Sequence, residues 1–267
     1  MFCDLSDKLV LITGGTRGIG LACALAFARQ GAKTVLTCRW GCEDEAELRS
    51  RFTDIGAPEP LIVQADVSSS EDTDQLMEEL KKLGMPVEAF LSNATGAVAV
   101  SSLDDLTERA MMSTMRYSVW PTVEYVKKIK QTLGKWPRYV IAMSTTGIES
   151  YTRNYDLVAA SKASLESICR YLAYHLRNED CRVNAIRTRA VATESMKAVI
   201  GDDLERIASK VGAENQLITP EDVASAVLGL CSGYLDAMRG QTLCVDKGGL
   251  FSDNVSRLAC EKETLGL

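Results

Sequence analysis

Short apolar runs alternate along this chain with helical stretches, and that alternation limits its architecture more than any other feature. The runs are KLVLITG, KTVLTC, PLIVQAD, VEAFLSNA, RYVIAMS, CRVNAIR and QTLCVD, each bounded by turn or polar residues. Such unbroken apolar runs read as strands buried on both faces. GLACALAFARQG follows the first strand, EDEAELRSRFTDIG the second, EDTDQLMEELKKLG the third, and an amphipathic segment from about Leu106 to Leu133 the fourth. Helices ending at Gly31, Gly56 and Gly84 carry the terminal glycine signal. The pattern predicts an α/β protein: a doubly wound parallel sheet, Rossmann-like, in one domain over residues 1–251. Residues 252–267 lose strand and core character and read as a tail or an oligomer contact. In such a fold ligands bind beyond the carboxyl ends of the strands, where strand order reverses.

Composition narrows the partners. The 267 residues are 46% hydrophobic and 25% charged, as in soluble globular proteins. A net charge of −6 argues against nucleic acid and for a small-molecule substrate. Nine cysteines, an odd number without a C-x-x-C pair, read as reduced core thiols of a cytoplasmic protein. The start, MFCDLSDKLVLITGG, shows no signal-peptide pattern, and no apolar run is long enough for a bilayer, so no membrane partner is expected. Without a His-rich or paired-Cys cluster, no metal site is expected either.

TGGTRGIG, Thr13 to Gly20, closes the first strand and opens the first helix. Gly14, Gly18 and Gly20 permit a tight turn, backbone approach to phosphate and close helix packing. The helix N-terminus offers free N–H groups to a pyrophosphate, so Gly14, Thr16, Arg17, Gly18, Ile19 and Gly20 are candidate cofactor-binding residues. The second strand ends at Arg39, where an NAD-selective fold places an acid. Arg39 and Arg17 together can pair with a 2′-phosphate, which points to NADPH/NADP; the alternative is that both are solvated and Glu43 or Asp44 accepts the ribose.

TGGTRGIG, Asp66-Val67, Ser92-Asn93-Ala94, the SK of AASK, VNAI and RGQTLCVDKGG occur in order over nearly the whole chain. Together they resemble the short-chain dehydrogenase/reductase family. STTGIESYTRNYDLVAASKASLE is similar to its divergent branch containing bacterial enoyl-acyl-carrier-protein reductases, in which six residues separate the catalytic tyrosine and lysine. Tyr155 and Lys162 fall at those positions, and Val158, four residues before the lysine, becomes packing. A seven-residue helical step returns to within about 20° of the same face while rising about 10.5 Å. Tyr155 therefore belongs at the helix start or just before it, with Asn154 a plausible cap.

The resemblance implies hydride transfer from NADPH, with the Tyr155 hydroxyl on the substrate oxygen, Lys162 on the nicotinamide ribose and Thr145 assisting. It adds Asp66, Val67, Asn93, Ala94 and Thr193 to the cofactor-binding set. It also implies a homotetramer or homodimer, and an acyl-thioester substrate that an acyl carrier protein can present. The favoured reaction is reduction of an α,β-unsaturated acyl thioester or related enone. A ketoreductase and a non-catalytic NADP-binding scaffold are the alternatives.

Several residues depart from the family pattern. Met115 stands where many members have a proton-relay asparagine, and Thr188-Arg189 replaces a Pro-Gly turn. Arg187 and Arg189, at a strand's carboxyl end, either bind a substrate carboxylate or phosphate or point to solvent or a neighbouring subunit. Tyr151 is a rival tyrosine expected to line or cover the pocket, with residues from about Ala192 to Ile218 as a mobile cover. The basic run KKIKQTLGKWPR either docks an acidic carrier or is a solvated helix end. His175, the only histidine, reads as ordinary helix packing.

Overall fold

Along β1 (Leu9–Thr13), Leu9 and Leu11 join one apolar cluster while Val10 and Ile12 join another. That is the period-two division of a strand covered on both sides. The computed structural model describes residues 3–42, 44–96, 100–193, 196, 203–210, 213–251 and 253–265. The other strands are β2 (Lys33–Cys38), β3 (Leu61–Gln64), β4 (Val87–Ser92), β5 (Tyr139–Thr145), β6 (Arg182–Thr188) and β7 (Thr242–Val245). They form one sheet in the order β3-β2-β1-β4-β5-β6-β7, with every pairing parallel. All seven apolar runs are strands, and the fold is the single-domain, doubly wound one that the sequence predicts. Strand order reverses between β1 and β4, which opens a crevice at their carboxyl ends.

Helices cover both faces. On one side lie α1 (Gly18–Ala28), α2 (Glu45–Thr53) and a later helix, Pro220–Leu230; on the other lie α3 (Ser70–Leu83), α4 (Glu108–Ser118), α5 (Trp120–Leu133) and α6 (Asp156–His175). Phe27 and Phe52 fill the first layer, and Leu76, Tyr125 and Leu165 the second, all essentially inaccessible to water. Each such aliphatic or phenyl side chain contributes about 1.5–3 kcal/mol by its burial.

The amphipathic segment expected as one helix is two. It breaks at Val119, whose φ of −120° and ψ of −56° leave the helical region, immediately before α5 opens with Pro121 in its first turn. Proline has no N–H and its ring clashes with the carbonyl four residues back, so a helix restarts there more readily than it continues.

The cysteines are all free thiols; Cys23, Cys38, Cys169, Cys181 and Cys231 are buried, whereas Cys244 and Cys260 are exposed and so are not core residues. Two short helices, Asn254–Cys260 and Lys262–Leu265, lie in the stretch read as a tail. His175 is exposed at the end of α6 rather than packed. Among the described residues, no helix is long and apolar enough to cross a membrane, and no cluster of acids, cysteines or histidine could hold a metal ion.

Candidate active site

The glycine turn forms one wall of the crevice. Gly14 and Gly18 adopt φ of 62° and 53°, the left-handed region that a side chain disfavours. A Cβ on Gly20 would lie 2.2 Å from the Gly14 carbonyl oxygen. Helix α1 starts here without a side-chain cap or an acid in its first turn, leaving its N–H groups available to an anion. Thr16 is half-buried and Arg17 exposed on this turn, while Ile19 packs into the core. Thr193 comes up against the turn, its methyl 3.4 Å from where a Gly18 Cβ would stand.

The turn is tied to the end of β4. The Asn93 side-chain amide donates to the carbonyls of Thr13 and Gly14, both at 3.0 Å. The Thr13 hydroxyl accepts from the backbone N–H of Asn93 and of Ala94 and donates to the Leu91 carbonyl. Asn93 thus shapes the crevice floor, its amide already engaged by backbone, and Ala94 packs beside it.

At the end of β2, Arg39 is held on three sides. Its Nε pairs with Asp66 at 2.9 Å, and its guanidinium lies between the rings of Trp40 and Tyr117, 4.2 and 4.5 Å from their centroids. The Tyr117 hydroxyl donates to the same Asp66 oxygen at 2.6 Å, and Ser68 donates to the other. Burial works to raise the Asp66 pKa, but these hydrogen bonds and the Arg39 charge outweigh it and leave the carboxyl below its ordinary value. Val67 turns into the core. Asp44, the alternative ribose acceptor, caps α2 by accepting from the Glu47 N–H at 2.7 Å; Glu43 lies outside the described residues. Arg17 is not brought into this cluster.

Tyr155 stands at the carboxyl end of β5, and Lys162 follows it on α6. Tyr155, not Asn154, is the N-cap of α6; Asn154 sits one place earlier with φ of 59°. Asparagine tolerates this left-handed conformation. Its bend delivers the half-buried Tyr155 ring beside Gly147 and Thr145, whose hydroxyl accepts from the Gly147 N–H. Burial pushes the Tyr155 pKa up and the nearby Thr145 hydroxyl works against it, so the phenol stays protonated at neutral pH. Lys162 is buried, and desolvation lowers its pKa to about 8, with Cys169 opposing the shift. Among the described residues it pairs with no carboxylate. Val158 is half-buried one turn before Lys162, and Tyr151 is 88% exposed. Met115 packs against the core on α4.

The two arginines of β6 separate in role. Arg187 pairs with Glu166 of α6 through Nε at 2.9 Å and a terminal nitrogen at 2.7 Å, and with Glu149. Ser144 donates to the same Glu166 at 2.6 Å. Arg187 is thus paired within the chain rather than turned to solvent. Arg189 lies across Gly249 and reaches Gln216 at 3.3 Å. In the basic run, Lys128 pairs with Asp74 and Glu124, Lys130 donates to the Gly134 carbonyl closing α5, and Arg138 pairs with Asp236. This run precedes β5, opposite the end that carries Thr145.

Tyr117, Gly147 and Glu166 escape a sequence reading. No motif marks them, and each matters through a partner brought close only by the fold.

The family model described as Enoyl-(Acyl carrier protein) reductase matches residues 14–249. An enoyl-[acyl-carrier-protein] reductase [NADH] of Aquifex aeolicus is 28% identical over 250 residues, covering 91% of this chain and 92% of the relative. An NAD-dependent glycerol dehydrogenase of Listeria innocua is 24% identical, covering 92% and 94%. Among solved structures, a short-chain dehydrogenase from Burkholderia cenocepacia in complex with NADP superposes with a TM-score of 0.79 at 24% identity, over 92% of this chain and 99% of that one. That likeness shows the fold, and the family match shows the family. The chain belongs to the short-chain dehydrogenase/reductase family of oxidoreductases, in the group typified by the enoyl-acyl-carrier-protein reductases.

Proposed function

We propose that the protein is an NADPH-dependent reductase of an α,β-unsaturated acyl thioester or related enone. The observation that carries this reading is Tyr155 at the N-cap of α6, seven residues before the buried Lys162 and beside Gly147 and Thr145 at the end of β5. The crevice residues fit a dinucleotide. Gly20 leaves space that a Cβ would fill, α1 presents an open N-terminus, and Lys162 is a buried cation without a carboxylate. Arg39, with Nε fixed by Asp66, would pair with a ribose 2′-phosphate through its terminal nitrogens. The remaining cofactor residues are Gly14, Thr16, Arg17 and Gly18 of the turn, Asp66, Asn93 and Ala94 of the floor, and Thr193.

When bound, NADPH supplies the hydride. Tyr155, kept protonated by burial, donates a hydrogen bond to the thioester carbonyl oxygen and stabilises the enolate that develops there. Thr145 holds the phenol in place, and Lys162 binds the nicotinamide ribose. Met115, a partly buried apolar side chain packed against the core, supplies no polar relay from this part of α4, which favours enone over ketone reduction.

The thioester carrier approaches by a face other than the basic run, which lies at the wrong end of β5 and whose Lys128 and Arg138 are paired with acids of this chain. Exposed Met112 and Trp120 near the α4–α5 junction, and Tyr171 and Tyr174 on α6, support a homodimer or homotetramer joined through these helices. The free thiols support a cytoplasmic location.

Incubation with NADPH and either crotonyl or acetoacetyl thioester, followed by product identification, tests the reading. Saturated butyryl product supports it, and reduction of the keto substrate alone makes the protein a ketoreductase. Cofactor binding without turnover of either acceptor makes it a scaffold.

A further inference from the structure

Glu166 stands one helical turn after Lys162 on α6, the spacing at which a glutamate and a lysine ordinarily pair. Both are buried, at 3% and 5% exposure, where an ion pair is least screened. They do not pair. Both Glu166 oxygens are taken up elsewhere, by the Arg187 guanidinium in a two-point clamp and by the Ser144 hydroxyl. Glu149 closes the far side of the guanidinium. Strand register makes the arrangement possible: Arg187 lies opposite Ser144, and the next pair, Thr188 and Thr145, marks the catalytic end of β5.

We propose that Arg187 is a positioning residue that binds Glu166 away from Lys162 and so leaves the buried ammonium free for a ligand. Without the clamp, a buried carboxylate would stand within reach of a buried cation and close on it. The resulting pair would satisfy both charges inside the protein. That the ligand is the nicotinamide ribose rests on the reading above; that Arg187 sets the state of Lys162 does not.

The other groups around Lys162 leave Glu166 as the carboxylate that matters. On α6 itself stand Tyr155, Cys169, and the exposed Asp156 and Arg170. Strand β5 brings only the hydroxyls of Ser144 and Thr145, and β6 brings Arg187. The short turn before α6 brings Glu149, already on Arg187. On α4, Glu108 and Arg109 are exposed, Arg116 donates to the Ser68 carbonyl and Tyr117 to Asp66. Cys169 feels the charges of both Lys162 and Glu166. The wild-type Lys162 pKa of about 8 matches an ammonium that no carboxylate stabilises.

The test is the titration of the Lys162 amine in the full-length, cofactor-free protein, followed by NMR of ¹³C-labelled lysine and assigned with Lys162→Met. Arg187→Gln releases Glu166 and is expected to raise the midpoint by about one unit or more. Glu166→Gln buries no lone anion and leaves Arg187 its pairing with Glu149, so it is expected to fold and to move the midpoint down. The double variant removes the pair as a unit and is expected to return to within about 0.3 unit of wild type. An unchanged midpoint in folded Arg187→Gln overturns the proposal. So does a Glu166→Gln midpoint at or above wild type, which decides the matter even if Arg187→Gln does not fold. A purely structural role for Arg187 moves none of these midpoints. If the midpoints behave as expected while Lys162→Met binds NADPH as wild type does, the ribose assignment fails and the positioning role stands.

Discussion

The ring of Tyr155 lies against Gly147: a Cβ there would meet ring carbons at 2.8 and 2.9 Å. Nothing but hydrogen fits between the short turn after β5 and the phenol. Gly147→Ala should therefore rotate the ring away from Thr145 without touching the glycine turn at β1. We expect kcat to fall about 10- to 100-fold through misplacement of the hydroxyl, with the Kd for NADPH nearly unchanged. Steady-state kinetics beside a fluorescence titration of the cofactor check this, and equal losses in both would show that the contact matters only to the fold.

Tyr155→Phe keeps the ring and its packing and deletes the hydroxyl. Turnover is expected to drop about 10²- to 10⁴-fold, the range for a positioned proton donor. Circular dichroism and cofactor affinity should stay at wild-type values. A variant that retains more than half its kcat places the chemistry elsewhere.

Burying Lys162 costs stability, and the cost depends on pH. Its folded pKa is about 8, against about 10.4 in an unfolded chain. Between those values the unfolded chain holds a proton that the fold has released, so stability rises with pH across this window and the full penalty is present below it. Lys162→Met should thus be more stable than wild type at pH 7 by on the order of 2–3 kcal/mol. The advantage should shrink steadily above pH 8 and be gone near pH 10.5. Urea unfolding at several pH values measures the difference, and a gap that does not change with pH would falsify the assignment.

Arg39 is fixed by Asp66 and stacked between Trp40 and Tyr117. Arg39→Ala should weaken NADPH far more than NADH, by about 1.5–3 kcal/mol for a lost charge-assisted contact. Trp40 is 79% exposed and rests on the guanidinium, so its fluorescence should change on binding NADPH and respond less to NADH. Equal loss of both cofactors in Arg39→Ala would mean that this residue supports the site without choosing the phosphate.

All seven strands can be read from the sequence because a parallel strand is apolar on both faces, a signal carried by consecutive residues. The glycine turn is legible for a similar reason. The break at Val119 is harder, since Trp120-Pro121 lies within a continuous amphipathic pattern and a proline in a first turn is compatible with a helix on either side of it. Asn154 reads as a cap because asparagine is favoured both there and in left-handed turns; the structure uses it for the turn. The partners of Arg187 cannot be read at all. Glu166 is 21 residues away in the chain, and only the packing of α6 on β6 brings the two charges together.

Five hydrogen bonds, through one hydroxyl and one side-chain amide, lace the end of β1 to the end of β4. These are the two strands that a wedge driven into the crevice would have to part. Because Thr13 and Asn93 hold them shut from beneath, an incoming dinucleotide meets an anvil, and whatever gives way on its arrival must belong to the rim.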